Sequence, residues 1–175
     1  RRTASSELRI LASSVLAEVD LVDHRSFDEV DLVEIVDQAI GAVGAGVDVE
    51  LSGPEQCVRS VWVDGVRLAV ENLLRNAIGH GRPLDGGAGV IAVTVTPTAQ
   101  IIVDDNGPGI PLADRARILE PFERATTAGT GSGLGLAFVN RVAALHSGSV
   151  EVLDSPSGGT RIVLGLWSVA ATSTE

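Results

Sequence analysis

Ile101-Ile102-Val103-Asp104-Asp105-Asn106-Gly107-Pro108-Gly109-Ile110 is an apolar run that closes on two acids and passes directly into a loop with two glycines. Branched apolar residues suit a pleated, half-buried surface, so Ile101–Asp104 is predicted as a strand. Val90–Thr96 is predicted as another strand, joined to it by the tight connection Pro97–Gln100. Downstream, 106–120 read as a loop with a short helix, and Gly129–Gly133 as a loop opening a helix that runs to about His146. Val150–Leu153 and Thr160–Leu166 read as strands joined by a Ser/Pro/Gly turn. Upstream of the Gly-rich stretch 85–89, Asp64 is predicted to cap a helix of about 16 residues, with Val66, Val70, Leu73 and Ala77 as its apolar stripe and Gly79–Pro83 as its end. Val47–Leu51 and Val58–Val63 are strand candidates. Asp31-Leu32-Val33-Glu34 starts a helix in capping-box style, which ends in Gly41–Gly46. Helix, two strands, helix, two strands, loop and helix, two strands is not the strict alternation of a doubly wound sheet. The fold class expected is a two-layer α+β sandwich, a mixed sheet of about five strands packed on three helices.

The flanks carry less. Residues 1–22 place Leu8, Leu11, Val15, Val19 and Val22 at helical spacing, and are expected to be the truncated end of a longer helix. Residues 23–31 are expected to be a polar linker, 32–167 the main domain and 168–175 a disordered tail. No Met occurs, even at position 1, so a piece of a longer protein is expected.

Composition excludes more than it proposes. A chain of 175 residues that is 45% hydrophobic can build a core without disulfides or structural metal, and its single Cys57 allows no intrachain disulfide. Cys57, near a strand start, is expected to be a small semi-buried residue rather than a nucleophile. Acids outnumber bases 23 to 13, for a net charge of −10, which argues against non-specific binding to nucleic acid. All the bases are arginine, so a Walker A lysine, a Schiff-base lysine and the lysine of a protein-kinase fold are impossible. Three scattered histidines do not make a zinc site, and neither H-E-x-x-H, G-x-S-x-G nor G-x-G-x-x-G occurs.

Four clusters carry chemistry. In Glu71-Asn72-Leu73-Leu74-Arg75-Asn76-Ala77, the two asparagines stand four apart, about 6 Å from each other on one helix face. An amide oxygen is a neutral hard ligand for Mg²⁺ already crowded by phosphates; two solvated surface amides would give the same pattern. In Asp105-Asn106-Gly107-Pro108-Gly109-Ile110, a carboxylate at a strand end can accept from an exocyclic amine such as adenine N6, whereas guanine's carbonyl would leave it unpaired. An ordinary Asn-Gly or Pro-Gly turn fits the same residues. Gly129-Thr130-Gly131-Ser132-Gly133-Leu134-Gly135-Leu136 opens a helix, and glycines there offer free N–H groups and the positive dipole end to phosphate. A bland linker would not need Leu134 and Leu136 between glycines that weaken a helix start. Pro121-Phe122-Glu123-Arg124 read alone is local packing.

Together, in this order and at this spacing, the four clusters resemble the N, G1, F and G2 boxes of the catalytic ATP-binding domain of bacterial sensor histidine kinases. That domain belongs to the superfamily, with the Bergerat ATP-binding fold, shared with gyrase, mismatch-repair and heat-shock ATPases. The resemblance runs from about Asp31 to Trp167 and includes the closing His146-Ser147-Gly148-Ser149-Val150 and Ser157-Gly158-Gly159-Thr160. It implies a catalytic group of Asn72, Asn76 and Arg124, with Asn76 holding Mg²⁺ and Arg124 a candidate γ-phosphate contact. It implies that Asp105 reads adenine N6, that Gly107, Gly109 and Ile110 line the base, and that Gly131, Ser132, Gly133, Leu134, Gly135 and Leu136 meet the phosphates. His80 matches the family's Tyr or His, and Phe122 belongs to a lid expected to be mobile over Ala125–Ser132.

The implied cofactors are ATP and Mg²⁺. The implied partners are an upstream dimerisation and phosphoacceptor domain and a response regulator, with no nucleic acid. Such a kinase is a homodimer through its helical hairpin, so this piece is expected to be monomeric, and to be the cytoplasmic part of an inner-membrane-anchored bacterial protein. His24, His80 and His146 do not sit in the family's acceptor motif, so the piece is not expected to phosphorylate itself. Many members carry a basic residue where Gly79 stands, and the stretch from Phe122 to Gly129 is short for the family's lid. Two neighbouring readings stay open: an anti-sigma-type serine kinase of the same superfamily, and a non-catalytic nucleotide-binding module.

Overall fold

The computed structural model describes residues 26–44, 48–84, 86–123 and 133–167. Strands β1 (Asp28–Asp31), β2 (Val49–Ser52), β3 (Val58–Val61), β4 (Ile91–Val95), β5 (Gln100–Asp105), β6 (Val150–Asp154) and β7 (Thr160–Gly165) are interspersed, mostly in pairs, with helices α1 (Leu32–Ala42), α2 (Val63–His80) and α3 (Gly135–Leu145). The order β2-β4-β5-β7-β6 makes a five-stranded sheet, parallel between β2 and β4 and antiparallel elsewhere. This is the mixed sheet and three-helix layer expected from the sequence.

Alternation places the core. Ile91, Val93 and Val95 of β4, Ile101 and Val103 of β5, and Ile162 and Leu164 of β7 are buried in one cluster with the helices. From α2 the stripe Val66, Val70, Leu73 and Ala77 joins them, with Ala69 and Leu74 beside it. Each buried valine, leucine or isoleucine among them contributes about 1.5–3 kcal/mol. The sheet therefore fixes α2, and the polar side of α2 stands where the sheet and α3 put it.

Two local features of the secondary structure differ from expectation. The linker expected over 23–31 ends in a strand: Asp28–Asp31 pairs antiparallel with β3. Its composition is polar because the ribbon is two-stranded and half-exposed. Asp31 keeps the predicted cap role, accepting from the Val33 N–H at 3.0 Å, and also accepts from the Cys57 N–H at 2.9 Å. Cys57, expected to be semi-buried, is fully buried, with Sγ 3.6 Å from the Thr96 carbonyl oxygen. Asp64 does not cap α2; Trp62 does, with no side-chain cap bond, and Asp64 lies in the first turn facing Arg67.

The start of α2 is tied from far along the chain. The Trp62 N–H donates to His146 Nε2 at 3.0 Å. His146 Nε2 is therefore unprotonated, and Nδ1–H donates to the Val142 carbonyl at 2.7 Å. Burial pushes this imidazole below its ordinary pKa, partly opposed by the Val142 bond. Its ring centroid lies 5.0 Å from that of Phe27. His146 itself closes α3, where Ser147 N–H meets the Ala144 carbonyl and Gly148 N–H the Ala143 carbonyl, a Schellman end. Ser147 takes the left-handed position there, φ 54°, while the glycine stands one residue later, where a β-carbon would run into the Gly165 carbonyl.

Candidate functional site

α2 leads into both halves of the site. Asn72 and Asn76 stand mid-helix on one face, and the helix ends at Gly81, about 13 Å beyond Asn72 at 1.5 Å per residue. At that far end β5 delivers Asp105, with its side chain on the helix-facing side of the sheet.

Asp105 is buried. Its Oδ1 accepts from the Gly107 N–H at 2.9 Å and the Thr160 N–H at 3.0 Å. Those two bonds fix the carboxylate plane, and Oδ2 accepts no hydrogen bond among the described residues. Backbone closes around it. A β-carbon at Gly107 would lie 2.6 Å from the Gly81 Cα and 2.8 Å from the His80 carbonyl oxygen. One at Gly81 would lie 2.6 Å from the Asp105 Cβ, and one at Gly159 would fall on the Asp105 carboxylate and the Gly107 amide. Gly109 takes φ 74°, in the left-handed region. Pro108 and His80 are exposed at the rim, and Ile110 is half-buried.

Two clamps hold this loop. Asn106 Oδ1 accepts from the Val90 N–H at 2.8 Å, and its Nδ2 donates to the Ala88 carbonyl at 3.1 Å. Arg115 Nε donates to the Ile110 carbonyl at 2.9 Å from the other side. Sequence reasoning named Asn106 without a role and missed Gly81, Gly159, Thr160 and Arg115 as site-formers. The Gly159-Thr160 pair in the closing hairpin was the one available signal.

The other end is built differently. Asn72 Nδ2 donates to the Leu68 carbonyl of its own helix at 2.9 Å, and a β-carbon at Gly135 would lie 2.9 Å from Asn72 Oδ1. The predicted Gly-rich helix start thus packs on the first asparagine through a glycine that leaves room for it. No side chain caps α3 at Leu134, and Leu136 is half-buried behind Gly135. Asn76 is half-buried, and its amide makes no hydrogen bond among the described residues.

Among the described residues, cations are sparse at this end. At Gly79 a β-carbon would meet open space. Arg75 is drawn to Glu71, as is Arg67, each at 2.7 Å, and Glu71 is buried between them. Arg75 therefore does not stand in for a cation at position 79.

Phe122 adopts φ 67°, a strained conformation for a bulky residue, and leaves its ring exposed. Its N–H donates to the Gly133 carbonyl at 3.1 Å, and Gly133, at φ 71°, has no room for a side chain against Phe122 and Glu123. The third and fourth clusters therefore meet through backbone. Arg124, Gly131 and Ser132, with the lid expected over Ala125–Ser132, lie outside the described residues, as do the leading helix 1–22 and the tail 168–175.

Among the described residues no group of three His, Cys, Asp or Glu side chains could hold a metal by itself, and no helix is long and apolar enough to cross a membrane. A buried carboxylate with a free oxygen at one end, and an unspent amide beside a glycine-opened helix at the other, can hold a polar, elongated ligand with an amine at one tip and oxygens at the other.

The family model described as histidine kinase-, DNA gyrase B- and HSP90-like ATPase matches residues 62–169. The sensor-type histidine kinase PrrB of Mycobacterium tuberculosis is 38% identical over 165 residues, 92% of this chain and 35% of that kinase. The chain thus spans about a third of the length of the curated relatives it matches. The crystal structure of the ATP-binding domain of PrrB from M. tuberculosis aligns at TM-score 0.64 and 30% identity, over 83% of this chain and 99% of that one. The mycobacterial sensor histidine kinase MprB aligns at TM-score 0.65 and 30% identity, over 82% and 100%. The match covers both asparagines, the Asp105 loop and the α3 start, and on that ground this chain belongs to the histidine kinase-, DNA gyrase B- and HSP90-like ATPase family, within its histidine-kinase branch.

Proposed function

We propose that this chain is the catalytic ATP-binding domain of a sensor histidine kinase. It binds Mg·ATP and donates the γ-phosphoryl group to a histidine on a dimerisation domain, for relay to an aspartate of a response regulator. The observation that carries the reading is the state of Asp105, whose Oδ1 is spent on two backbone N–H groups while Oδ2 is left for one donor. An exocyclic amine supplies that donor, and a guanine carbonyl does not.

Around the base, Gly107, Gly109 and Ile110 present backbone, and His80 stands at the rim. Asn72 and Asn76, with the N–H groups of Gly133, Leu134, Gly135 and Leu136, face the phosphates. Phe122, Arg124, Gly131 and Ser132 belong to the covering segment, with Arg124 for the γ-phosphate. The donor set fits Mg²⁺: one unspent hard amide oxygen at Asn76 suits an ion whose other ligands are phosphate oxygens and water. When bound, the metal supplies charge neutralisation at the phosphates. The protein's own part is positioning, since phosphoryl transfer to an incoming imidazole needs no protein nucleophile in this domain. In the transfer a nitrogen–phosphorus bond forms, the bond from the β,γ-bridging oxygen to the γ-phosphorus breaks, and ADP leaves.

The wider arrangement is part of the same reading. The domain is the cytoplasmic portion of a membrane-anchored kinase that is a homodimer through its hairpin, and by itself the domain is monomeric. The net charge of −10 argues against non-specific binding to nucleic acid. The relatives reported above are sensor histidine kinases by name, which favours this reading over the anti-sigma-type serine kinase. The test is phosphotransfer from γ-labelled ATP to an added acceptor hairpin. Label on the hairpin histidine that disappears in Asn76→Ala is expected. Tight ATP binding with no transfer would instead make the domain a non-catalytic nucleotide module.

A further inference from the structure

We propose that Arg115 is the positioning residue for base recognition, holding the wall of the adenine site at its distance from Asp105. The inference rests on the reading of the site as an ATP site. The Asp105 loop is tied along most of its length by neighbours that leave no slack: Gly107 against Gly81 and His80, Asn106 against Ala88 and Val90, and Asp105 against Thr160. Its exit, at Gly109 and Ile110, has none of these. Gly109 is left-handed, with only the Gly159 carbonyl near the place of a β-carbon, at 3.6 Å. Arg115 is what ties that exit down.

Its side chain is only 16% exposed, unusual for an arginine on a connecting segment. Nε donates to the Ile110 carbonyl at 2.9 Å, Nη1 to the Val152 carbonyl at 3.5 Å, and Nη2 pairs with the Asp154 carboxylate. One planar guanidinium thus joins the base loop to β6, the edge strand of the sheet. Val152 and Asp154 flank the start of the hairpin that brings the Thr160 N–H to Asp105. Both sides of the base site, the 107–110 backbone and the Asp105 carboxylate, are therefore referred to the same strand. A rigid fork does this where a lysine could not, because it bonds three acceptors at fixed angles.

The test is calorimetric titration with ATP and with GTP of the wild-type chain, Arg115→Ala and Arg115→Lys. It is run well below each protein's unfolding temperature, with circular dichroism to verify folding. ATP affinity is expected to fall about tenfold in Arg115→Ala and about threefold in Arg115→Lys, with the preference for ATP over GTP falling in parallel. A merely structural arginine would lower the unfolding temperature and leave both the affinity and the base preference of the folded protein unchanged, and that result would overturn the proposal. Should Arg115→Ala fail to fold, the lysine variant decides alone by the same two readouts. Wild-type protein that binds neither nucleotide would overturn the ATP-site reading and this proposal with it; wild-type binding with unaltered variants would overturn only the role of Arg115.

Discussion

The two ends of the site are made by opposite means. At the end proposed to take the base, Asp105 Oδ1 and both atoms of the Asn106 amide are committed to backbone, and glycines at 81, 107 and 159 let three backbone segments touch. At the end proposed to take the phosphates less is committed: the Asn76 amide has no partner among the described residues, Gly79 faces open space, and no side chain caps the helix start at which Gly133 and Gly135 stand. A flat base is recognised by a wall already in place, so binding costs little ordering there. A charged, hydrated triphosphate brings its own metal and water, and needs donors that are still free when it arrives. On the proposed reading, base selectivity resides in the fold, and phosphate affinity can be altered by single surface substitutions.

The hardest way to break the base end is to fill it. Gly159→Ala puts a β-carbon on the Asp105 carboxylate and the Gly107 amide. Overpacking of this kind is expected to cost about 3 kcal/mol and abolish ATP binding, checked by chemical denaturation and titration. Next is Asp105→Asn. It is expected to weaken ATP binding about ten- to a hundredfold and narrow the gap to GTP, since a charge-assisted bond is replaced by a neutral one.

Acid tests the phosphate end through α2. His146 accepts from the Trp62 N–H at the helix start only while neutral, and its folded-state pKa lies below the unfolded value. A depressed pKa contributes stability that is present above about pH 6.5 and is lost as pH falls toward the folded value. The cost is about 1.4 kcal/mol for each pH unit over which the unfolded chain alone takes the proton. Denaturation midpoints between pH 7.5 and 5 should show this slope, and His146→Gln should flatten it. The smallest effect sharpens the contrast from the open side. Gly79→Lys adds a cation where there is room for it, and is expected to tighten ATP binding about three- to tenfold. It should also stabilise α2 by about 0.5–1 kcal/mol by removing a helical glycine.

What could be read from sequence follows the range of the interactions. Strand alternation in 91–95 and 101–105, the α2 stripe and the Asp31 cap are local patterns, and each appears where it was expected. Asp105, Asn72 and Asn76 were legible because their residue types sit at telling positions in strand and helix. β1 was not, because three acids and a single valine become a strand only through pairing with β3. The Trp62–His146 bond joins residues 84 apart, and the Arg115 link to Asp154 joins residues 39 apart, so no local window contains either. Gly81 and Gly159 look like ordinary turn glycines, and only the approach of other backbone makes them necessary.

The central claim is that one committed and one open carboxylate oxygen at Asp105 select adenine. Calorimetric titration of the wild-type chain with ATP and GTP, each with and without Mg²⁺, tests it most directly. ATP should bind with a clear preference over GTP, and that preference should persist without Mg²⁺ while total affinity falls. Equal binding of ATP and GTP, or a preference that vanishes with the metal, would contradict it.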